Sequence, residues 1–168
     1  MAERVGPLNG VRAVTCSTAQ AGTVPYMMMA DLGAEVIKVE VPGVGDGSRT
    51  AGELRGEISS FFETNNRGVK SVSLDLKSEE GRKILHRLIE TADIFGQNFR
   101  PGAAEKNGFG YEELKKINPK LVYVSVSGYG QRGPHSGLPG TDAVGQALGG
   151  ISEAYAGPGE AMKTGVVS

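Results

Sequence analysis

Strand-like and helix-like segments alternate along this chain, and this alternation constrains the fold more than any other feature of the sequence. The strand-like segments are short and rich in β-branched or apolar residues, and they fall at 11–15, 35–39, 69–74, 93–97 and 120–125. Helical spacing or helix-capping residues mark the segments 23–32, 78–92, 111–117 and 142–148. Strands joined by helices form right-handed crossovers, so the sequence predicts an α/β fold, a Rossmann-like open parallel sheet with helices on both faces.

The loops that follow the strands are the expected place for a site, because ligands bind beyond the carboxyl ends of the strands in an open parallel sheet. These loops are 16–22, 41–50, 98–108 and 127–141. Two segments are less regular. Residues 51–64 are ambiguous, with apolar side chains at helical spacing, and residues 162–167 resemble the start of a further strand that the chain does not finish.

Composition excludes several classes of protein. A chain of 168 residues is long enough for one domain with a sizeable core. With 22% charged residues and a net charge of −1, the chain has no basic field to attract nucleic acid or an anionic membrane. Neither a signal-peptide pattern nor an apolar run of about 18 residues is present, so a cytoplasmic location is expected. The single cysteine, Cys16, excludes an internal disulfide and a multi-cysteine metal site.

A glycine motif near residue 130 has the spacing of a dinucleotide-binding turn. Gly128, Gly130 and Gly133 fit the pattern G-x-G-x-x-G after a predicted strand. That fingerprint has to open a helix, whereas Pro134 and Pro139 follow it directly. A glycine-rich loop is therefore favoured over an NAD(P)-binding site, which stays as an alternative.

Isolated reactive side chains have ordinary explanations. His86 and His135 lack a second histidine or a cysteine at metal-ligand spacing, so no metal site is expected. His135 as a general base and Cys16 as a nucleophile are alternatives to a solvated loop histidine and a small buried side chain. Asp142 precedes a predicted helix, where capping is favoured over catalysis. Cations near strand ends suggest phosphate contacts when taken together, and they are Arg49, Arg67, Lys77, Arg100 and Lys106.

Taken in order, a series of short blocks resembles the N-terminal part of the family III CoA transferases (CaiB/BaiF, formyl-CoA transferase-like). The blocks are Gln20-Ala21-Gly22, residues 32–40 (LGAEVIKVE), Gly45-Asp46, Asn66-Arg67, Leu74-Asp75-Leu76-Lys77, Asn98-x-Arg100-Pro101-Gly102, Gly108-Phe109, Asn118-Pro119 and Ser127-Gly128-Tyr129-Gly130. The resemblance covers essentially the whole chain. It implies that residues 1–168 form the N-terminal part of a CoA-binding large domain, whose second domain and returning chain are absent from this sequence.

The resemblance also implies an activity. Members of the family move CoA from an acyl-CoA donor to a carboxylic acid through an aspartate that attacks the thioester and becomes the covalent intermediate. Acyl-CoA and the acid are substrates, and no permanently bound cofactor is implied. By alignment the nucleophilic aspartate is expected just beyond Ser168, so the sequence offers no catalytic residue of its own, and the isolated chain is predicted to be inactive.

The residues implied to contact CoA follow three of the strands. They are Thr18, Ala19, Gln20 and Ala21 after the first strand, Leu74 and Lys77 after the third, and Lys106 and Asn107 in the loop after the fourth. Two positions depart from formyl-CoA transferase, since Val41 and Pro139 stand where that enzyme has cations.

Two alternatives to this activity, and one expectation about assembly, follow from the resemblance. Acyl-CoA racemases share the fold but carry a histidine where this chain has Thr141, which disfavours racemisation. A non-catalytic partner subunit of a CoA transferase is the second alternative. Family members form interlocked homodimers, so a homo-oligomer or a hetero-oligomer with a related subunit is expected, and the isolated chain should associate through an exposed sheet edge.

Overall fold

The computed structural model describes residues 6–161 and Lys163 and divides the chain into two units, one up to Val126 and one from Ser127. The strands of the first unit are β1 (Arg12–Thr15), β2 (Glu35–Glu40), β3 (Leu54–Arg55), β4 (Ile58–Ser59), β5 (Lys70–Ser73), β6 (Ile94–Gln97) and β7 (Val122–Ser125). Its helices are α1 (Ala19–Asp31), α2 (Ser60–Asn66), α3 (Glu79–Ile89), α4 (Ala103–Lys106) and α5 (Tyr111–Ile117), with a 3-10 turn at Gly47–Thr50. The second unit contains α6 (Asp142–Leu148) and α7 (Ile151–Ala154). The predicted strand at 162–167 lies outside the described residues, apart from Lys163.

The first unit is built on a five-stranded sheet in the order β5-β2-β1-β6-β7. Every pairing in it is parallel, and in the centre Val14 lies opposite Ile37 on one side and Phe95 on the other. The chain builds outward from β1 to β5, then crosses back to place β6 on the other side of β1. The predicted parallel α/β sheet is confirmed, and β1 and β6 flank the point where the strand order reverses, where such sheets bind ligands.

Two hydrophobic cores cover the two faces of this sheet. Successive strand residues point to opposite faces, and Ala13 and Val14 accordingly belong to different clusters. Ala13 packs with Tyr26 of α1, whereas Val14 shares its cluster with Leu85 of α3 and Leu114 of α5. These five side chains are at most 3% exposed, which confirms the prediction of helices on both faces.

The ambiguous segment 51–64 contains a short hairpin followed by α2. Leu54 pairs with Ser59 in the antiparallel strands β3 and β4. The Ser59 hydroxyl then accepts a hydrogen bond from the backbone N–H of Phe62 at 3.0 Å, the usual N-cap contact, and α2 begins at Ser60. One serine therefore ends the hairpin and starts the helix.

Helix α1 begins earlier than the sequence predicts. The expected start at residue 23 rests on the apolar, Met-rich stretch of residues 23–32. The structure instead starts the helix at Ala19 and keeps Pro25 inside it. The Thr23 hydroxyl donates to the backbone oxygen of Ala19, which gives one carbonyl of this first turn a side-chain partner. Residues 19–22, predicted as loop, are therefore helical.

The helices α3, α5 and α6 lie close to their predicted positions, whereas α4 forms within residues 98–108, a predicted loop. Ser78 caps α3 by accepting from the N–H of Gly81 at 3.0 Å, and α5 and α6 have the predicted bounds. Within α3 the predicted apolar face is only partly buried, because Ile84 is 44% exposed while Leu85 and Ile89 are fully buried. None of the helices in the described residues has the length and apolar character needed to span a membrane.

Candidate functional site

A cavity of about 240 Å³ lies at the carboxyl edge of the sheet in the first unit. Its walls come from the segments that end or follow β1, β2, β5 and β6, and from the residues just after α4. The lining residues are Cys16, Thr18, Val39, Glu40, Val41, Gly45, Leu74, Asp75, Leu76, Lys77, Phe99, Asn107 and Phe109. Apolar walls with a few polar groups at the edge are typical of a small-molecule site.

The structure brings part of the predicted site together in this cavity. Thr18, Leu74, Lys77 and Asn107 all line it, although they are far apart in sequence. Leu74 is buried at 8% exposure, and Lys77 is exposed at the start of the loop into α3. The cavity therefore has an apolar wall and a cationic edge.

The remaining predicted residues lie beside the cavity without lining it. Ala19, Gln20 and Ala21 continue from Thr18 into the first turn of α1, and all three are exposed. Lys106 is exposed at the end of α4, next to Asn107. Among the residues that the structure describes, neither the Lys77 amine nor the Lys106 amine forms an ion pair. Both cations are therefore available to a negatively charged ligand.

The turn that joins β1 to α1 is fastened by Asn98, the residue after β6. Its Oδ1 accepts from the backbone N–H of Thr18 at 2.9 Å, and its Nδ2 donates to the backbone oxygen of Thr18 at 2.8 Å. Gly22 makes this approach possible, since a Cβ there would lie 2.5 Å from the Asn98 nitrogen and 2.8 Å from Ser17. Thr18 is the N-cap residue of α1, and its own side chain forms no capping hydrogen bond. The N–H groups of Gln20 and Ala21 lie in the first turn of α1, at a helix terminus that favours anions.

A buried ion pair lies under the same turn. Lys38 of β2 and Asp46 of the following loop are each 1% exposed, and the lysine amine donates to the Asp46 carboxylate. The same amine donates to Asn66 Oδ1 at 2.8 Å. The other carboxylate oxygen of Asp46 accepts from the N–H and the hydroxyl of Ser48 at 2.9 and 2.8 Å, and from the N–H of Ala19 at 3.3 Å. The charges are thus compensated inside the protein.

A second ion pair continues this network toward the cavity. Arg49 donates twice to the Glu40 carboxylate, with both distances 2.7 Å, and its guanidinium lies 3.8 Å from the ring centre of Phe62. Ser71 of β5 donates to the same carboxylate at 2.8 Å, and the N–H of Asp46 donates to it at 2.9 Å. This network fixes the loop after β2 to the sheet.

Both buried carboxylates are stabilised in the charged form. Burial alone would raise the pKa of Asp46, but hydrogen bonds from Lys38 and Ser48 outweigh it and hold the pKa below its ordinary value. The same balance, with Arg49 and Ser71 as the main donors, lowers the pKa of Glu40. Both groups are therefore anionic at neutral pH.

Several residues singled out by the sequence take no part in this site as nucleophiles or phosphate ligands. Burial strongly raises the pKa of the Cys16 thiol, which is 3% exposed, so the small buried side chain is favoured over a nucleophile. Among the suggested cations, Arg49 is paired with Glu40 and Arg67 with Asp31. No group of three or more candidate metal ligands occurs in the described part of the chain.

The glycine motif belongs to the second unit and does not open a helix. Residues 128–141 form turns and bends, and the next helix starts at Asp142. This supports the glycine-rich loop over a dinucleotide-binding turn. The expectation that Asp142 caps α6 is wrong in detail, because Thr141 occupies the N-cap position and Asp142 is the first helical residue. The Asp142 carboxylate instead accepts from the Gln146 side chain at 2.6 Å.

Sequence reasoning missed Asn98, Lys38 and Asp46 as parts of the site. Asn98 and Asp46 both fall in blocks that resemble the family, in loops that directly follow strands. Their position in these loops could have identified them as candidates for the site. Lys38 also falls in such a block, residues 32–40, but nothing local marks it as buried, since a lysine in a strand is ordinarily solvent-exposed.

An open parallel sheet with a cavity at its carboxyl edge defines an open-sheet α/β protein, a class in which ligands bind beyond the carboxyl ends of the strands. The profile of the family described as CoA-transferase family III matches residues 8–168, and the chain belongs to this family.

Relatives and solved structures agree with this assignment. The chain is 42% identical over 153 residues to acetyl-CoA:oxalate CoA-transferase of Acetobacter aceti, covering 91% of this chain and 39% of that protein. It is 40% identical over 165 residues to the human succinyl-CoA:glutarate CoA-transferase, covering 96% of this chain and 37% of that one. A CAIB/BAIF family protein from Brucella suis superposes with a TM-score of 0.88 at 38% identity, covering 97% of this chain and 44% of that structure. The chain therefore spans about two fifths of the length of these proteins.

Proposed function

We propose that this chain supplies the CoA-binding part of a CoA transferase that moves CoA from an acyl-CoA donor to a carboxylic acid. The observation that carries the proposal is the cavity at the carboxyl edge of the sheet, lined by Thr18, Leu74, Lys77 and Asn107. The printed activities of the relatives, acetyl-CoA:oxalate and succinyl-CoA:glutarate transfer, are consistent with it.

The chemistry of the cavity suits the parts of CoA. Leu74, Phe99 and Phe109 offer apolar surface for a planar base, and Lys77 and Lys106 offer charge for phosphates. The N–H groups of Gln20 and Ala21, at the start of α1, are hydrogen-bond donors for an anionic or carbonyl oxygen. Leu74, Lys77, Lys106 and the first turn of α1 thus each have a defined chemical role in the proposal.

The covalent step belongs to this proposal as well. By resemblance an aspartate expected beyond Ser168 attacks the donor thioester, which gives a mixed anhydride and releases CoA thiolate. The thiolate then opens the anhydride, so the donor acid leaves and CoA stays on the aspartate as a thioester. The acceptor carboxylate takes CoA from the enzyme by the same steps in reverse. The described residues would then hold CoA while chemistry proceeds on the acyl group. The assignment of residues 1–168 to part of a larger domain remains a prediction of the same kind.

Titration calorimetry of the full chain with CoA tests the proposal. We expect binding, and we expect Lys77→Ala and Lys106→Ala each to weaken it about tenfold, because each removes one exposed charge-assisted contact. Lys83→Ala is the matched control, since Lys83 is an exposed lysine of α3 that pairs with Glu79. Absence of CoA binding by the unmodified chain would contradict the proposal.

A non-catalytic or partner-subunit role is the second candidate. One relative, 38% identical over 148 residues, is named as the beta subunit of succinyl-CoA–L-malate CoA-transferase of Chloroflexus aurantiacus. That name supports assembly with a related subunit as an alternative to the expected homodimer. Transferase turnover by the chain alone would exclude the non-catalytic role, and size-exclusion chromatography with light scattering would give its oligomeric state. The cytoplasmic location expected from the sequence pattern also stays a prediction.

A further inference from the structure

The first turn of α1 is held by a side chain that is itself out of reach of a ligand. Asp46 is 1% exposed, yet its Oδ1 accepts a hydrogen bond from the backbone N–H of Ala19. We infer that Asp46, oriented by Lys38, is a positioning residue that sets the geometry of residues 18–21 for CoA. This inference rests on the proposed function.

The backbone of Ala19 shows why such a support is needed. Its φ angle is +57°, and Ala19 is the only described non-glycine residue with a positive φ. A Cβ disfavours this left-handed conformation, so it persists only where neighbouring contacts hold it. The bond from Ala19 to Asp46 is one such contact, and the paired bonds between Thr18 and Asn98 are the other.

The Asp46 carboxylate can give this support because it is itself fixed in orientation. One oxygen receives the amine of Lys38, and the other receives the N–H and hydroxyl of Ser48. Lys38 is anchored in turn by Asn66 and lies within β2, the neighbour of β1. Lys38 and Asp46 thus connect the turn between β1 and α1 to the rigid sheet.

This arrangement fixes which way the next N–H groups point. The first N–H groups of α1 follow directly from the conformation of Ala19, because that residue sets the direction in which the helix begins. If Ala19 relaxed to a negative φ, Gln20 and Ala21 would move relative to Thr18, which lines the cavity. Asp46 would therefore affect CoA affinity without touching CoA.

The test uses the full chain with two readouts, amide hydrogen exchange of residues 19–21 by NMR and CoA affinity by calorimetry. We expect Asp46→Ala to speed exchange at the Ala19 amide at least tenfold and to weaken CoA binding about tenfold. Asp46→Asn keeps an acceptor oxygen toward Ala19, so we expect partial rescue, with a roughly threefold effect on each readout. Glu35→Gln is the control, since Glu35 lies at the amino end of β2 and pairs there with Arg12 and Lys70.

The outcomes separate the inference from the proposed function. CoA binding by the unmodified chain, with both Asp46 variants matching Glu35→Gln in exchange and affinity, would overturn the positioning role alone. Should Asp46→Ala fail to fold, Asp46→Asn decides, and wild-type exchange and affinity in that variant would overturn the inference. No CoA binding by the unmodified chain would instead remove the proposed function.

Discussion

Asn98 forms two hydrogen bonds with the backbone of Thr18, a residue 80 positions earlier in the chain. One amide side chain therefore satisfies both the N–H and the carbonyl of the residue that caps α1. Asn98 follows β6 and Thr18 follows β1, so this contact ties together the two strands at the reversal point of the sheet.

Replacing Asn98 should destabilise the protein. Asn98→Ala removes both hydrogen bonds to the exposed Thr18 backbone, where water can replace the lost partner, and we expect a loss of about 0.5–1.5 kcal/mol in the free energy of unfolding. Urea denaturation followed by circular dichroism measures this loss. Thr64→Ala is the control, because it removes an exposed hydrogen bond within α2. Equal stabilities of the two variants would show that the contact contributes nothing.

Gly96 is expected to tolerate no side chain. A Cβ at this position would overlap the hydroxyl and the ring of Tyr26, which is 3% exposed. Gly96→Ala should therefore cost about 3 kcal/mol or more, since neither the sheet nor α1 can move aside cheaply.

Gly145→Ala provides the opposite case for comparison with Gly96. Gly145 lies within α6 with open space around its Cβ position, and we expect this change to stabilise the protein by about 0.5–1 kcal/mol. Thermal unfolding of both variants tests the pair. A Gly96→Ala protein as stable as the parent would contradict the packing described for Tyr26.

Acid should remove the stability that the buried carboxylates contribute. The pKa values of Asp46 and Glu40 are lower in the folded protein, so their contribution is complete above the unfolded-state pKa of about 4 and is lost as the pH falls through the lowered values. Each such group contributes a slope of up to about 1.4 kcal/mol per pH unit in that window.

Urea midpoints measured between pH 2 and pH 6 test this dependence. The Asp46→Asn protein should show a shallower acid loss than the parent, because the substituted group no longer binds a proton on unfolding. Glu79→Gln removes an exposed carboxylate of α3 and controls for the change in net charge. An Asp46→Asn profile parallel to that of the parent would argue against a lowered pKa.

Cys16 should resist modification in the folded protein. Burial both raises the pKa of its thiol and blocks access, so we expect a disulfide reagent at pH 8 to react with it at least 100-fold more slowly than with the unfolded chain. Absorbance of the released thiolate gives the two rates. Fast reaction under native conditions would show that the cavity wall opens at Cys16.

The order of strands and helices could be predicted because local patterns carry it. The helices α5 and α6 have their predicted bounds, and the parallel sheet follows from the alternation of elements. The start of α1 could not be predicted, since the apolar stretch begins at residue 23 and only the tertiary contacts of Thr18 and Ala19 place it earlier. Tertiary contacts, and not the local sequence pattern, therefore determine where α1 begins.

The candidate site likewise has a part that could be predicted from the sequence and a part that could not. Thr18, Leu74, Lys77 and Asn107 share one cavity because all follow or lie near the carboxyl ends of parallel strands, which the topology places at one edge. Their contact with CoA stays a prediction. The burial of Lys38 could not be foreseen, because its partner Asn66 lies 28 residues away and becomes a neighbour only in the folded sheet.

The central position of β1 has a consequence for how the protein is made. β1 can pair with β2 as soon as residue 40 has been synthesised, but its other neighbour, β6, ends at Gln97. Closing that long loop is slow compared with forming the local crossover. During translation the hydrogen bonds between Thr18 and Asn98 therefore form late. The carboxyl edge of the sheet is completed only after more than half of this chain has been made.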